Sequence, residues 1–419
     1  MIAVTPTPIL TGIRLDGGGK PHPSRGCSMI DAVSRLARKR GAVDFCLGAP
    51  DYPPNPEVLR AAAEAVRNCS HIYGDPCGLP EFRAAAAAKV ERFRKIQIEP
   101  ETEVTITCGA TEGLALVLRA VLEPGGEVVL FQPGYESYPP AVLHCGGVPR
   151  FVRLWPPQAE AGSWEFDEDE LVAAFGPRTR ALILNTPHNP TGKVFGRPDL
   201  ERIAALCERH GCWIISDEIY EEFVFGGRTH MSPIELHGIR NRTAVISSLS
   251  KTYGVPGWRL GYVLAPPAAT RTIRCIQEAV SGGAAVPLQA AGAAALRLPV
   301  AFYERLKCMF AARRERLLRL LRGLGMFCPA PEGGWYVMAA PGALGSVCAG
   351  DFASFLMERA GVAAAPGGAF YQEDPHTGHG WARLCFGRSE ETLAEGERLL
   401  SVLSTSALTT DCVSVCNRR

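Results

Sequence analysis

Short apolar runs alternate with longer stretches of helical periodicity through the middle of the chain. Val104-Thr105-Ile106-Thr107 predicts a β-strand, followed by Gly109-Ala110-Thr111 and an apolar helix over 112–122. Further strands are predicted over 127–131, 181–185, 213–216 and 243–247, with a helix over 198–210 between the third and fourth strands. Strands that alternate with helices give a mostly parallel sheet covered on both faces. Ligands of such sheets bind outside the carboxyl ends of the strands. Before this region the pattern predicts a helix over 28–40, a strand over 44–47, a rigid Gly/Pro-rich loop over 48–56 and a helix over 56–67 capped by Asn55. After it, Leu306, Met309, Phe310, Leu317, Leu320 and Leu321 recur between arginines and predict a long helix over 302–324. That helix leads into a second lobe of α+β character ending near Leu403.

The predicted fold class is therefore α/β, with a large sheet domain over 53–294 and a smaller α+β domain over 295–403. Residues 1–52 supply an extended arm, rich in Pro and Gly over 1–26, and part of the small domain; 404–419 read as a loose tail. Neither an internal repeat nor a low-complexity tract interrupts this plan, apart from alanine-rich helices such as 84–88.

Composition narrows the function. With 47% apolar and 21% charged residues in a chain of 419, the protein is globular and not disordered. A net charge of +1 gives no case for nucleic acid or an acidic membrane surface. The longest uncharged run, 279–296, is Ala- and Gly-rich with Pro287, a poor membrane span and a reasonable loop-then-helix. The first ten residues carry no basic stretch of the secretory kind. Fifteen irregularly spaced cysteines, without a C-x-x-C pair or a nearby His/Cys set, read as free thiols in a reducing cytoplasm, with no metal site.

Chemistry collects at the strand ends. Lys251 lies in Ser248-Leu249-Ser250-Lys251-Thr252-Tyr253-Gly254-Val255-Pro256-Gly257-Trp258-Arg259-Leu260-Gly261, too apolar and too punctuated for a surface helix. A partly desolvated amine beside another cation suits a Schiff-base nucleophile, and Ser248 with Arg259 could hold a phosphate beside it. Asn185-Thr186-Pro187-His188-Asn189-Pro190-Thr191-Gly192 makes a tight turn after a strand; Asn189 could donate to an aromatic hydroxyl, or the segment is turn chemistry alone. Asp217, in Ser216-Asp217-Glu218-Ile219-Tyr220, ends an apolar strand and either caps a helix or pairs with a cation such as a protonated pyridine nitrogen. Tyr220, three residues on, could touch the same ring. The Gly109-Ala110-Thr111 helix start offers free amides to a phosphate. Tyr135, after the strand over 127–131, either stacks on a flat cofactor or fills the core rim. Arg383, in the apolar Trp381-Ala382-Arg383-Leu384-Cys385-Phe386-Gly387 run, needs an anion: a carboxylate ligand or an internal ion pair. One ring-plus-phosphate cofactor, pyridoxal 5'-phosphate, would use all of these groups together, with Asp217 keeping the ring nitrogen protonated.

Those motifs, from about Asp44 to Leu400, resemble the fold-type I pyridoxal-phosphate aminotransferases of class I/II, and within them the branch of kynurenine/glutamine and methionine aminotransferases. The resemblance implies that Lys251 forms the Schiff base and shuttles the proton between Cα and C4′ of the cofactor. It implies that Asp217 meets the pyridine nitrogen, Asn189 and Tyr220 meet O3′, and Tyr135 stacks on the ring. Gly109, Ala110, Thr111, Ser248, Ser250 and Arg259 would hold the phosphate. Tyr73, in His71-Ile72-Tyr73-Gly74-Asp75-Pro76, matches a segment that reaches the neighbouring subunit's phosphate, which implies a homodimer. Arg383 would grip the substrate α-carboxylate, with Gly48 and Asn189 at the same end and the 366–371 loop nearby. One departure stands out: Ser281-Gly282-Gly283-Ala284-Ala285-Val286-Pro287 is smaller than the family's form and is expected to alter the pocket floor.

The expected activity is amino transfer between an L-amino acid and a 2-oxo acid. The same residues would also serve a lyase, cyclase or oxidase acting on an amino acid, so the motifs do not separate these. A regulator using the fold as an effector domain would need a DNA-binding module, and the first forty or so residues are too short and Pro-rich for one. Aromatic residues around the site (Tyr52, Tyr135, Trp335, Tyr336, Phe370) favour a neutral or aromatic side chain.

Overall fold

The computed structural model describes residues 28–69, 71–342 and 352–403. The expected N-terminal arm and C-terminal tail lie outside the described residues. In chain order the strands are β1 (Val43–Asp44), β2 (Val104–Thr107), β3 (Glu127–Gln132), β4 (Val148–Trp155), β5 (Glu165–Phe166), β6 (Thr179–Asn185), β7 (Trp213–Asp217), β8 (Thr243–Ser248), β9 (Gly261–Leu264), β10 (Tyr336–Ala339), β11 (Val362–Ala363), β12 (Ala365–Pro366) and β13 (Ala382–Cys385).

β2 to β9 build one sheet in the order β2-β9-β8-β7-β6-β3-β4-β5. The run from β8 to β4 is parallel, as the alternation of strands and helices predicts. The strand β9, which the hydrophobic pattern left unassigned, inserts antiparallel between β8 and β2. The central strands β3, β6, β7 and β8 are buried on both faces and are accordingly rich in apolar residues, whereas β4 and β5 at the edge are partly exposed. Val128 and Leu130 pack with Leu116, Val117 and Ile183 on one face. Val129 and Phe131 pack with Leu182, Leu184, Ile203 and Leu206 on the other. Each such aliphatic burial contributes about 1.5–3 kcal/mol.

The bridging helix is present as Val300–Gly323, roughly 36 Å long at 1.5 Å per residue. It joins two cores. Tyr303 belongs to the cluster around Phe82 and Tyr253, whereas Leu306, Phe310 and Leu317 belong to the second-lobe cluster around Trp335, Leu384 and Phe386. That lobe carries a small antiparallel sheet, β10-β13-β12, and the parallel pair β1-β11.

Several boundaries differ from the sequence reading. The strand expected over 44–47 stops at Asp44, because its carboxylate accepts from the backbone N–H of Cys46 (2.8 Å) and Leu47 (3.0 Å) and turns the chain. The helix expected from residue 112 starts at Gly109, since glycine at φ +79° lets the chain turn into the helix directly from β2. The helices at Met29–Arg40 and Pro56–Asn68 carry Ser28 and Asn55 as N-caps, the latter as anticipated. The uncharged 279–296 run is the end of one helix (Pro267–Val280), a loop and a second helix (Val286–Leu296). Among the described residues no helix is long and apolar enough to cross a membrane, and the described cysteines are free thiols.

Candidate active site

The carboxyl ends of β3, β6, β7 and β8 and the turn after β2 point their loops to one side of the sheet, where the second lobe closes over them. Lys251 sits in a one-turn helix, Leu249–Thr252, immediately after β8. Its Nζ donates to the Gly48 carbonyl at 2.5 Å and lies 5.5 Å from the Trp335 ring centroid. Burial lowers its pKa from 10.5 to about 8, so about a tenth of the amine is neutral at pH 7, far more than for an ordinary lysine. Tyr52 donates its hydroxyl to the Lys251 carbonyl at 3.3 Å and so holds the backbone of that turn.

Asp217 closes β7 and is buried. Tyr138 donates to its Oδ2 at 2.6 Å, and the Ile219 N–H approaches Oδ1 at 3.4 Å. A turn, not a helix, follows, which sets aside the helix-cap alternative and the helical spacing imagined for Tyr220. Asp217 forms no ion pair among the described residues, and burial raises its pKa to about 6. A buried carboxylate without a cation is costly, and a protonated ring nitrogen is the partner it lacks.

The turn after β2 forms an anion cradle. The helix Gly109–Val121 begins without a side-chain cap, so its first amides are free. Arg259, itself at φ +53°, lays its guanidinium against Gly109, where an added Cβ would stand 2.6 Å from Nη2. A Cβ on Gly261 would stand 2.8 Å from the Gly109 carbonyl carbon and 3.0 Å from Ala110 N, so only glycine lets β9 pass this close. The Ser248 hydroxyl accepts from Ser250 N (3.0 Å) and has Ser250 Oγ (2.8 Å) and the Leu260 carbonyl (3.1 Å) as outlets for its one proton. Amides, hydroxyls and a guanidinium at one spot suit a phosphate. The small-residue 281–287 stretch lies beside this end of the site, with Cys108 Sγ 3.6 Å from the Gly283 carbonyl and Gly283 packed on Pro76.

Asn189 and Arg383 meet directly: Arg383 Nη1 donates to Asn189 Oδ1 at 2.8 Å, which leaves the Asn189 amide nitrogen free of partners among the described residues. Asn185 ties this turn to the sheet, its Oδ1 accepting from Asn189 N (2.7 Å) and its Nδ2 donating to the Asp217 carbonyl (2.9 Å). Arg383, on β13, is 1% exposed. Its Nη2 donates to the Cys46 carbonyl at 2.6 Å, its Nε has no partner, and the Tyr336 and Phe370 rings lie 4.0 and 4.8 Å from the guanidinium carbon. Among the described residues it pairs with no carboxylate, so the internal ion-pair alternative does not hold. Phe370 brings the 366–371 loop to this end, as expected. Gly48 has no room for a side chain: its Cβ would stand 2.0 Å from Tyr336 Oη.

Tyr220 turns its hydroxyl to Tyr336 Oη at 2.6 Å. Tyr135 stands edge-on to Tyr138, centroids 5.5 Å apart, with its ring partly open. Tyr73 is 98% exposed and takes no part in the site of its own chain. Three further residues complete the arrangement: Tyr138 and Arg388, which the sequence reading did not single out, and Tyr336, which it named only as an aromatic residue around the site. Tyr138, three positions after Tyr135, supports Asp217; Tyr336 supports Tyr220. Arg388 donates to the carbonyls of Leu47 and Ala49 and ion-pairs with Asp44 at 3.6 Å, fixing the loop that presents Gly48. Their types alone gave no signal, because each acts through a partner far away in the chain.

Behind Asp217, the ligand atoms of Glu218, Glu221 and His230 lie within 4.8 Å of one another. Arg94 and Lys89 already ion-pair with Glu221 at 2.7 and 2.5 Å, so the cluster is a buried charge network.

Residues 40–398 match the family described as aminotransferase class I and II. The probable N-succinyldiaminopimelate aminotransferase DapC of Mycobacterium tuberculosis is 35% identical over 381 residues, 89% of this chain and 95% of the relative. The methionine aminotransferase of Escherichia coli is 32% identical over 378 residues, 90% of this chain and 96% of the relative. The solved structure of N-succinyldiaminopimelate aminotransferase from Mycobacterium tuberculosis superposes with a TM-score of 0.87, covering 92% of this chain and 100% of that one.

Proposed function

The chain belongs to the class I and II aminotransferases, which carry an amino group between an amino acid and a 2-oxo acid on pyridoxal phosphate, and we propose how its own residues divide that work. The cradle at Gly109, Ala110, Thr111, Ser248, Ser250 and Arg259 fits the cofactor's phosphate, and the cation-free Asp217 fits its ring nitrogen. When bound, the cofactor supplies an aldehyde for the amino group and a ring that takes up electrons from the Cα–H bond. Lys251, kept partly neutral by burial, supplies the amine that holds the cofactor and afterwards moves the proton between the substrate Cα and C4′. Asp217 holds the proton on the ring nitrogen. Asn189 and Tyr220 donate to O3′, Tyr135 covers the ring face, and Gly48 lines the substrate-carboxylate end with Asn189.

Arg383 receives the substrate α-carboxylate. The observation that carries this assignment is a buried guanidinium with an unpartnered Nε and no carboxylate, beside a lysine whose amine is partly neutral. The aromatic surroundings and the absence of a second assigned carboxylate clamp favour a neutral or aromatic substrate side chain. The fully exposed Tyr73 supports a homodimer in which it reaches the other subunit's phosphate. Free thiols suit a cytoplasmic setting. The division into parts 53–294 and 295–403, the latter joined by 1–52, is taken as the cofactor-holding and closing parts.

The test is a visible absorption scan of the protein loaded with pyridoxal phosphate, mixed with amino acids or with the matching amines that lack the carboxylate. A cofactor band absent from Lys251→Ala, converted by amino acids and restored by a 2-oxo acid, is the expected result. Equal conversion by the amines would overturn the role of Arg383. Ammonia release or oxygen uptake would overturn amino transfer as the main reaction.

A further inference from the structure

We propose that Tyr336 is a positioning residue that sets how strongly Tyr220 donates to the cofactor, and so sets the protonation of the lysine–cofactor linkage. The inference rests on the site assignment above and says what the contact of Tyr336 with Tyr220 does.

Tyr336 and Tyr220 are both buried, and their hydroxyls lie 2.6 Å apart. Two hydroxyls carry two protons, and the bond between them uses one. No other protein partner of either hydroxyl is present among the described residues, so one proton remains for a ligand. If Tyr336 is the donor, the free proton belongs to Tyr220. Tyr220 is the member placed to face O3′ of the ring. Tyr336 is hemmed in by Gly48, where an added Cβ would stand 2.0 Å from its hydroxyl. Its ring is fixed as well, lying 4.0 Å from the Arg383 guanidinium, which in turn holds Asn189 at 2.8 Å. Tyr336 thus spans the two groups that meet O3′ and the group that meets the carboxylate.

A hydroxyl that accepts a hydrogen bond becomes a stronger donor, by about 10–30% per link in a chain. A stronger bond from Tyr220 stabilises negative charge on O3′. That reduces the pull of O3′ on the proton of the linkage, and the linkage loses its proton at lower pH. Removing the Tyr336 hydroxyl reverses this. Hydrogen bonds to charged groups contribute about 1.5–3 kcal/mol. A change of that fraction moves the midpoint by roughly 0.1–0.7 pH unit.

The experiment titrates the visible band of the loaded enzyme between pH 5 and 10 in wild type, Tyr336→Phe, Tyr220→Phe and the double variant. Phenylalanine keeps the ring beneath Arg383, so folding is retained; thermal melts of the cofactor-free proteins check this. The expected result is a midpoint raised by roughly 0.1–0.7 unit in Tyr336→Phe, a larger rise in Tyr220→Phe, and no further effect of Tyr336→Phe in the Tyr220→Phe background. An unchanged or lowered midpoint in Tyr336→Phe overturns the proposal, since a lowered one means that Tyr220 donates to Tyr336. An equal shift in the Tyr220→Phe background also overturns it, as the effect would then bypass Tyr220. A wild-type protein that forms no visible band at all overturns the site assignment itself, and this inference with it.

Discussion

Replacing Asp217 by Asn stabilises the cofactor-free protein above pH 6 and weakens the loaded one. Asp217 is buried, accepts one good hydrogen bond from Tyr138, and has a pKa raised from 3.8 to about 6 by burial. In the unfolded chain it titrates at its ordinary value. Between those two values the folded protein holds a proton that the unfolded chain has released. The folded state is therefore favoured below pH 4, and that advantage is lost as the pH rises through about 6. Above pH 7 the ionised buried carboxylate costs about 3 kcal/mol, from a shift of roughly 2 units at 1.36 kcal/mol each. Asparagine is isosteric and carries no charge, so Asp217→Asn avoids that cost. Urea denaturation of cofactor-free protein across pH 4 to 8, at fixed protein concentration, should show the variant more stable by up to about 3 kcal/mol at pH 8, with the advantage vanishing near pH 4. Addition of pyridoxal phosphate should reverse the order, because only the carboxylate pairs with a protonated ring nitrogen. A pH-independent difference, or a variant less stable at pH 8 without cofactor, would refute the reasoning.

Two further outcomes follow from the geometry. Arg383→Gln removes the fork and its charge; KM for amino acids should rise about 10- to 150-fold, from 1.5–3 kcal/mol for a charged hydrogen-bonded contact, while the preference over the corresponding amines disappears. A fall in kcat with KM and that preference unchanged would assign Arg383 elsewhere. Gly261→Ala places a methyl 2.8 Å from the Gly109 backbone and must push back the phosphate turn. It should lower cofactor affinity at least tenfold in a fluorescence titration and cost about 1–3 kcal/mol of stability; unchanged affinity would show that the turn does not hold the phosphate.

What the sequence made legible was local. The apolar runs of β3, β6, β7 and β8 announce themselves because buried parallel strands need apolar residues on both faces, and Lys251, Asp217 and Arg383 announce themselves as charges set in apolar surroundings. The class of chemistry followed from those three taken with the Asn189 turn, Tyr220, the Gly109-Ala110-Thr111 helix start, Ser248 and Arg259. Less legible were features decided by pairing. β9 is only four residues long, and its antiparallel direction between β8 and β2 is decided by register with strands far apart in the chain. The strand at Asp44 ends through its own side chain folding back on Cys46 and Leu47, a choice that an apolar pattern does not encode. Tyr138 and Tyr336 are ordinary core tyrosines until Asp217 and Tyr220 are brought to them across 79 and 116 residues.

The same three charges explain why this site should be stabilised by what it binds. Asp217 lacks a cation, Arg383 lacks an anion, and Lys251 has its pKa lowered to about 8 in a place that disfavours charge. Each departs from the rule that buried charges are paired, and each departure has a complement in an amino-acid–cofactor pair: a ring cation, a carboxylate and a carbonyl carbon. Loading thus replaces three unfavourable burials with three matched contacts, which is where a functional site is expected to break the rules of a stable core. Linkage then requires that the loaded protein resist unfolding more than the empty one, by about 4 kcal/mol at a ligand concentration a thousandfold above Kd. That gain should be smaller in Asp217→Asn than in wild type, because one of the three contacts is no longer there to be made.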